Sequence, residues 1–226
     1  MATTFQRARS DEQRAVRSQA ILDAAAAMLR EMPVADISLN ELSRRVGLAK
    51  SNVLRYFDSR EAVLLELLAS SVREWREHLA GELPSAVNRR AGFDRRAAQL
   101  ADAIATSLTE RPVLCDLMST QAAVLERNVS VEAVTQHKLA GLAEGEAIAG
   151  LVRDALPELS EDEAWQYLMG VWLMTAALWA HARPPEAVAQ AVASDERLQR
   201  ARLDVPTMLA DHLTTLAIGL HARASG

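Results

Sequence analysis

Residues 39–68 read LNELSRRVGLAKSNVLRYFDSREAVLLELL, and they decide the fold. Two short helix-forming stretches, about 39–46 and 50–56, flank the turn Gly47-Leu48-Ala49, and a longer helical pattern opens near Ser59. Ser38 with Glu41 three residues on forms a capping box at the start of the first stretch. Gly47 stops it, because glycine reaches the positive φ of a tight turn without a steric penalty. Leu39, Leu42 and Val46 turn inward, and Leu42, Val46 and Val53 can pack the short helices at their crossing. These are the dimensions of a helix-turn-helix. The second short helix then presents Lys50, Ser51, Asn52 and Arg55 outward. That set suits a major groove, where Asn pairs with adenine and Arg with guanine.

Outward from this stretch the pattern stays helical. Upstream, a helix is expected over about Asp11–Arg30, opened by a Ser10/Gln13 capping box, with Ile21, Ala25, Met28 and Leu29 as its apolar stripe. Downstream, the helix from Ser59 should run to about Glu82, ahead of Pro84, with Val63, Leu64, Leu67, Leu68, Val72, Trp75 and Leu79 at helical spacing. Further helices are expected over about 94–110, 113–126, 131–156 and 160–183, with a short helix and loop over 186–202. Pro206 sits in the first turn of a last helix reaching about His221. The fold class is therefore all-α. The domain boundary falls inside the long fourth helix, giving a helix-turn-helix domain over 1–62 (the motif itself about 38–57) and a larger domain over 63–226.

Composition agrees. Half of the 226 residues are hydrophobic but only 4% are aromatic, a balance that favours helices over strands. The net charge of −5 is unevenly spread: residues 1–60 carry ten Arg and Lys against seven Asp and Glu, and the rest carry 15 against 23. A basic head on an acidic body is drawn to phosphate by one end only. No apolar run approaches the ~20 residues of a membrane helix, so no membrane partner is expected. The N-terminal stretch lacks the apolar segment of a secretory signal, and a cytoplasmic protein is the simplest reading. One cysteine, Cys115, makes no disulfide or ligand cluster, and His137, His181, His212 and His221 show no metal-ligand spacing, so neither metal nor cofactor is expected. Cys115 with His137 is the nearest approach to a nucleophile and base, and no enzyme is expected from it.

At this point a resemblance enters. The stretch 47–68 closely resembles the DNA-binding signature of the TetR family, with Gly47, Leu48, Lys50, Val53, Leu54, Tyr56, Phe57, Ser59, Arg60, Glu61 and Ala62 in register. Upstream, Ile21, Ala24, Ala25, Ile37, Ser38, Leu42 and Val46 also match, so the likeness spans about 15–70. It implies a bacterial repressor: an N-terminal three-helix DNA-binding domain, a C-terminal helical domain for ligand binding and dimerisation, and release from double-stranded operator DNA by a small-molecule effector. Carried over by position, Lys50, Tyr56 and Arg60 contact phosphate, and Ser38 caps its helix and meets phosphate. Ala49, Lys50, Ser51, Asn52 and Arg55 approach base edges, and Phe57 is a buried anchor. The chain departs from the family pattern twice. Ala49 stands where a Ser or Thr often caps the recognition helix, and Leu54 replaces a frequent aromatic.

The larger domain offers two seams. Trp165, Trp172 and Trp179 recur every seven residues, with Met169 and Ala176 on the same face, and Leu209, Leu213, Leu216 and Leu220 form a stripe on the last helix. Trp165, Met169, Trp179 and the four leucines are the expected homodimer interface, the form of dimer the resemblance implies. The tryptophans are equally suited to the domain's own core or to a pocket. Gly170 and the Gly141–Gly145 pair suggest close helix approach. A mixed lining from Cys115, Met118, Gln121, His137 and Trp172 is the expected ligand site, for a lipophilic effector. Two other readings stand beside the ligand-released repressor: a DNA-binding regulator worked by a protein partner or acting as activator, and a small-molecule enzyme with incidental N-terminal helices.

Overall fold

The computed structural model describes residues 2–224, and every regular element among them is helical. Ten α-helices follow in order: α1 (Ala2–Leu29), α2 (Leu39–Val46), α3 (Lys50–Val53), α4 (Arg60–Ala86), α5 (Phe93–Thr109), α6 (Pro112–Thr120), α7 (Val131–Ala155), α8 (Glu161–Ala182), α9 (Glu186–Ser194) and α10 (Val205–Ala224). Short 3-10 turns cover Val34–Asp36 and Glu196–Ala201, and a π-helical turn covers Gln121–Leu125.

Helix α3 ends at Val53 rather than near residue 56, α10 runs on to Ala224, and three further boundaries differ from the expectation. Helix α1 begins at Ala2, so Ser10 lies within it rather than at its start; the side chain of Ser10 is outside the described residues. Helix α4 continues through Pro84 to Ala86. Pro84 cannot donate to the carbonyl of Ala80, but both residues are exposed, so water can reach that carbonyl. The helix expected over 113–126 ends at Thr120, where the chain widens into the π-turn and Glu126 N–H reaches the carbonyl of Gln121 at 3.1 Å.

The chain forms two compact units. The first comprises residues up to Ser70 together with Thr120–Lys138, and the second comprises Ser71–Ser119 and Leu139 onward. The division thus falls later in α4 than residue 62, and a distant segment joins the N-terminal unit. In that unit Ile21, Leu22, Ala25, Met28 and Leu29 of α1 are buried, as are Ile37, Leu42, Val53, Val63, Leu64, Leu68 and Leu125. Each of these side chains larger than alanine contributes about 1.5–3 kcal/mol on leaving water, before ordering entropy is charged against it.

Helix α5 is the centre of the second unit, packing chiefly on α10, which also packs on α8. Four of its nine buried residues are alanine: Ala97, Ala101, Ala103 and Ala105 lie beside Leu100, Ile104 and Leu108. The polar groups of this core are held by specific partners. Trp75 is fully buried and its indole donates to Ser107 Oγ at 2.9 Å. The buried Arg96 donates to the carbonyls of Ala91 (3.1 Å) and Ala155 (3.0 Å) and pairs with Glu158, which ties the start of α5 to the end of α7. Trp179 Nε1 donates to Asp116 at 2.6 Å, and Arg183 binds the same carboxylate while stacking over the Trp179 ring at 4.2 Å. Two glycines allow close helix approach. A Cβ on Gly145 would meet the Trp165 ring at 2.9 Å, and one on Gly170 would collide with Leu216. Nothing stands within 4 Å of such a Cβ at Gly141, so that member of the expected pair has no packing role.

Candidate nucleic-acid interface

The helix-turn-helix is built from backbone rules. Ser38 is extended and its hydroxyl accepts from Glu41 N–H at 3.1 Å, which starts α2. The Glu41 carboxylate does not return to the cap. It binds Arg44 at 2.6 Å and Arg45 at 3.1 Å, and Arg45 reaches on to Glu31 at 2.6 Å. These bonds, first from Arg44 and then from Arg45, pull the Glu41 pKa down to about 2. Helix α2 ends in a Schellman motif: Gly47 sits at φ 72°, its N–H reaches Arg44 C=O, and Leu48 N–H reaches Ser43 C=O at 3.0 Å. Gly47 is the one described residue with positive φ.

Ala49 opens α3 in an extended conformation with no side-chain cap, as its departure from the family pattern suggests. Val53 is fully buried and seats the helix. Lys50, Ser51, Asn52 and Arg55 are exposed around it, and so is Leu54. Tyr56 is half-buried, and Arg14 of α1 lies 5.9 Å from its ring centre and donates to the Arg55 carbonyl at 3.4 Å. Arg14 is a member of this face that sequence reading missed. The signal was only its exposed basic character, because the partners are 41 residues away.

Arg60 and Phe57 sit differently from the expectation. Arg60 is engaged within its own unit. Its guanidinium donates to the Ile37 carbonyl at 2.8 Å and to Glu61 at 3.1 Å, fastening α4 to the entry of α2. Phe57 is half-buried rather than a fully buried anchor; Val53 fills that place.

The expected effector residues are divided between the two units. Cys115 and Met118 are buried on α6 in the second unit, and Trp172 is half-buried on α8. Gln121 and His137 come together in the first unit, their side-chain nitrogens 3.2 Å apart, with Gln121 also donating to Glu126 at 2.8 Å. Burial pushes the His137 pKa down. Cys115 donates to the Leu108 carbonyl, and its burial pushes the thiol up to about 12, the wrong direction for a nucleophile.

The expected dimer residues divide as well. Leu209, Leu213, Leu220 and Trp179 are buried within their own chain, so they offer no surface to a second copy. The reason is that α10 spends this stripe on α5 and α8. Leu216 is half-buried against Gly170, and Trp165 is half-buried against Gly145. Met169 stays exposed at 39%, joined by Leu173 at 63% and Ile218 at 36%, which sequence reading missed. Near them an open groove of about 750 Å³ runs between α8 and α10, lined by residues including Gln166, Gly170, Met174, Thr215 and Leu216.

Fold and site together define a helix-turn-helix protein with a large helical C-terminal unit. Residues 21–67 match the model for bacterial regulatory proteins of the tetR family, and residues 69–224 match that for the tetracyclin repressor-like C-terminal domain. The chain belongs to the TetR family. The HTH-type transcriptional regulator EthR of Mycobacterium tuberculosis is 41% identical over 58 residues, which are 26% of this chain and 27% of that protein. Among solved structures, a TetR transcriptional regulator from Rhodococcus sp. RHA1 is 16% identical with a TM-score of 0.54, over 95% of this chain and 98% of that one. FadR of Bacillus subtilis, solved with stearoyl-CoA, is 13% identical with a TM-score of 0.55, over 90% of this chain and 99% of its own. At such identities these structures share the fold. Among the described residues no helix is long and apolar enough to cross a membrane.

Proposed function

We propose that this chain is a cytoplasmic, non-enzymatic transcriptional regulator that binds operator DNA as a homodimer and acts as a repressor released by a small-molecule effector. One observation carries the DNA-binding part: Lys50, Ser51 and Asn52 on the one-turn α3 and Arg55 in the turn that follows it are exposed together, seated by the buried Val53. Asn52 and Arg55 have the chemistry for base edges, and Lys50, Tyr56 and Arg14 supply the phosphate contacts beside them. Met169, Leu173 and Ile218 with the α8–α10 groove form the dimer face, and two-fold symmetry then calls for near-palindromic operators. The stearoyl-CoA held by the B. subtilis FadR supports a lipophilic effector in a body of this fold.

Binding of selected and scrambled duplexes tests the reading. Lys50→Ala should weaken binding to all DNA alike and lower the salt slope by about one unit. Arg55→Ala should relax base preference at one operator position, costing about 1–3 kcal/mol there. Leu173→Glu should leave a folded monomer in sedimentation that no longer holds the operator. Parent-like binding by all three variants would remove α3 and the α8–α10 face from the proposed roles.

A further inference from the structure

Native cores pair nearly all of their buried polar groups, so a buried hydroxyl without a partner asks for an explanation. The second unit follows the rule at Trp75, Arg96, Ser107, Cys115 and Trp179, each of which has a hydrogen-bond partner. Two hydroxyls break it. Tyr167 Oη and Thr175 Oγ1 are enclosed, with the residues 0% and 1% exposed, and neither has a hydrogen-bond partner. Both lie on the inner face of α8, with Ala164, Leu168 and Val171.

Thr175 is the more telling of the pair. A helical threonine normally satisfies itself by donating to the carbonyl four residues back. Thr109, Thr135, Thr214 and Thr215 all do so here, at 2.8–3.0 Å. Thr175 forgoes that bond. Eight residues separate it from Tyr167, so their backbones stand about 12 Å apart along the helix axis. The two hydroxyls therefore mark out a line rather than a point.

We propose that the inner face of α8 is the docking line for the effector, with the Tyr167 and Thr175 hydroxyls donating to neutral acceptor oxygens of an elongated, otherwise apolar molecule. The proposal rests on the reading of this chain as an effector-controlled regulator and names the chemistry of that effector. Burial raises the Tyr167 pKa further above its ordinary value, so the phenol stays protonated and remains a donor. Charge is selected against. Among the described residues the buried cation of this unit, Arg96, is taken by two carbonyls and Glu158, so none of them leaves a guanidinium free to meet a carboxylate in the core. Burying an unpaired carboxylate is strongly unfavourable. An ester, amide, lactone or thioester carbonyl on an alkyl chain fits, and a free fatty acid does not.

The test uses the full-length protein and four probes with matched tails: methyl decanoate, decanamide, decanoate and decane. Thermal shift and titration should show stabilisation by the ester and the amide, and little by the carboxylate or the alkane. Tyr167→Phe and Thr175→Val should leave the unliganded protein as stable as the parent or more so, because each removes an unpaired buried hydroxyl. One of the two should weaken methyl decanoate binding about five- to tenfold, because its single ester group reaches one hydroxyl of a line about 12 Å long. The proposal is overturned if no probe stabilises the parent, if both variants keep its affinity for the ester, or if Tyr167→Phe destabilises the unliganded protein. Operator binding is read in parallel, and unliganded variants should match the parent; their loss of operator binding would make the hydroxyls structural and overturn the proposal too. A parent that binds the ester but no operator upholds the α8 line and strikes the regulatory reading alone.

Discussion

The recognition helix α3 and the central helix α5 are held in opposite ways. Helix α3 spans four residues and buries one side chain, Val53. Its position comes from backbone geometry: the Schellman turn at Gly47 before it and the Arg60 bond to Ile37 that fixes the start of α4. Helix α5 spans 17 residues and buries nine of them. The first is a small polar surface aimed by its frame, and the second is a packed interior. A frame fails at a joint, locally, and a packed interior fails as a whole.

The largest effect should come from breaking the interior. Trp75→Ala empties a fully buried indole site and leaves Ser107 without its donor. About 3–5 kcal/mol of stability should be lost, a large share of a domain's total. Urea denaturation followed by circular dichroism checks it, and the second unit should unfold at a much lower midpoint. A loss under 1 kcal/mol would mean that the interior yields around the cavity, and the contrast with α3 would weaken.

A joint in the frame should behave differently. Gly47→Ala forces a Cβ into the left-handed region at φ 72°, at about 1–3 kcal/mol. No atom lies within 4 Å of that Cβ, so the strain is purely conformational. The prediction is a modest shift in the denaturation midpoint with a disproportionate fall in operator affinity, as α3 loses its aim. If midpoint and affinity fall together, as they should for Trp75→Ala, the division into frame and interior is wrong.

The same contrast explains what could be read from sequence. The frame is local: Ser38 to Glu41, Ser43 to Leu48 and Gly47 itself lie within ten residues of one another, so caps and turn chemistry disclose them. Long-range partners were not legible. Nothing in the residues around Arg60 announces that a carbonyl 23 positions earlier will take its guanidinium. The body was harder for a geometric reason. A straight helix drifts about 20° per heptad, so residues seven apart do not stay on one face. Trp165 and Trp172 end half-buried while Trp179 is buried. The stripe on α10 is apolar in sequence and in structure, but one stripe looks the same whether its own chain or a second copy covers it. Leu209 and Leu213 went to the protomer's core, and the exposed Leu173 was passed over. Tyr167 and Thr175 were legible as members of α8, but an unpaired hydroxyl is visible only once every neighbour is in place.

The smallest expected effect tests whether the frame's surface charges contribute at all. Glu41 is accessible to water, and exposed ion pairs are individually weak and screened by salt. Its folded-state pKa is about 2, against 4.5 when unperturbed. The folded state therefore binds this proton less readily than the unfolded one. The contribution of Glu41 is fully present above about pH 4.5 and is lost as pH falls from there through about 2. The Glu31 pKa is lowered as well, first by its hydrogen bond to Arg45, so the two carboxylates lose their effect in the same direction. Glu41→Gln should lower the denaturation midpoint slightly at pH 7, and the gap to the parent should close as the buffer approaches pH 2. Raising the salt at pH 7 should shrink it too. A gap that stays constant between pH 7 and pH 2 would assign the effect to the lost side-chain geometry rather than to charge. The frame would then rest on its turn and its caps alone.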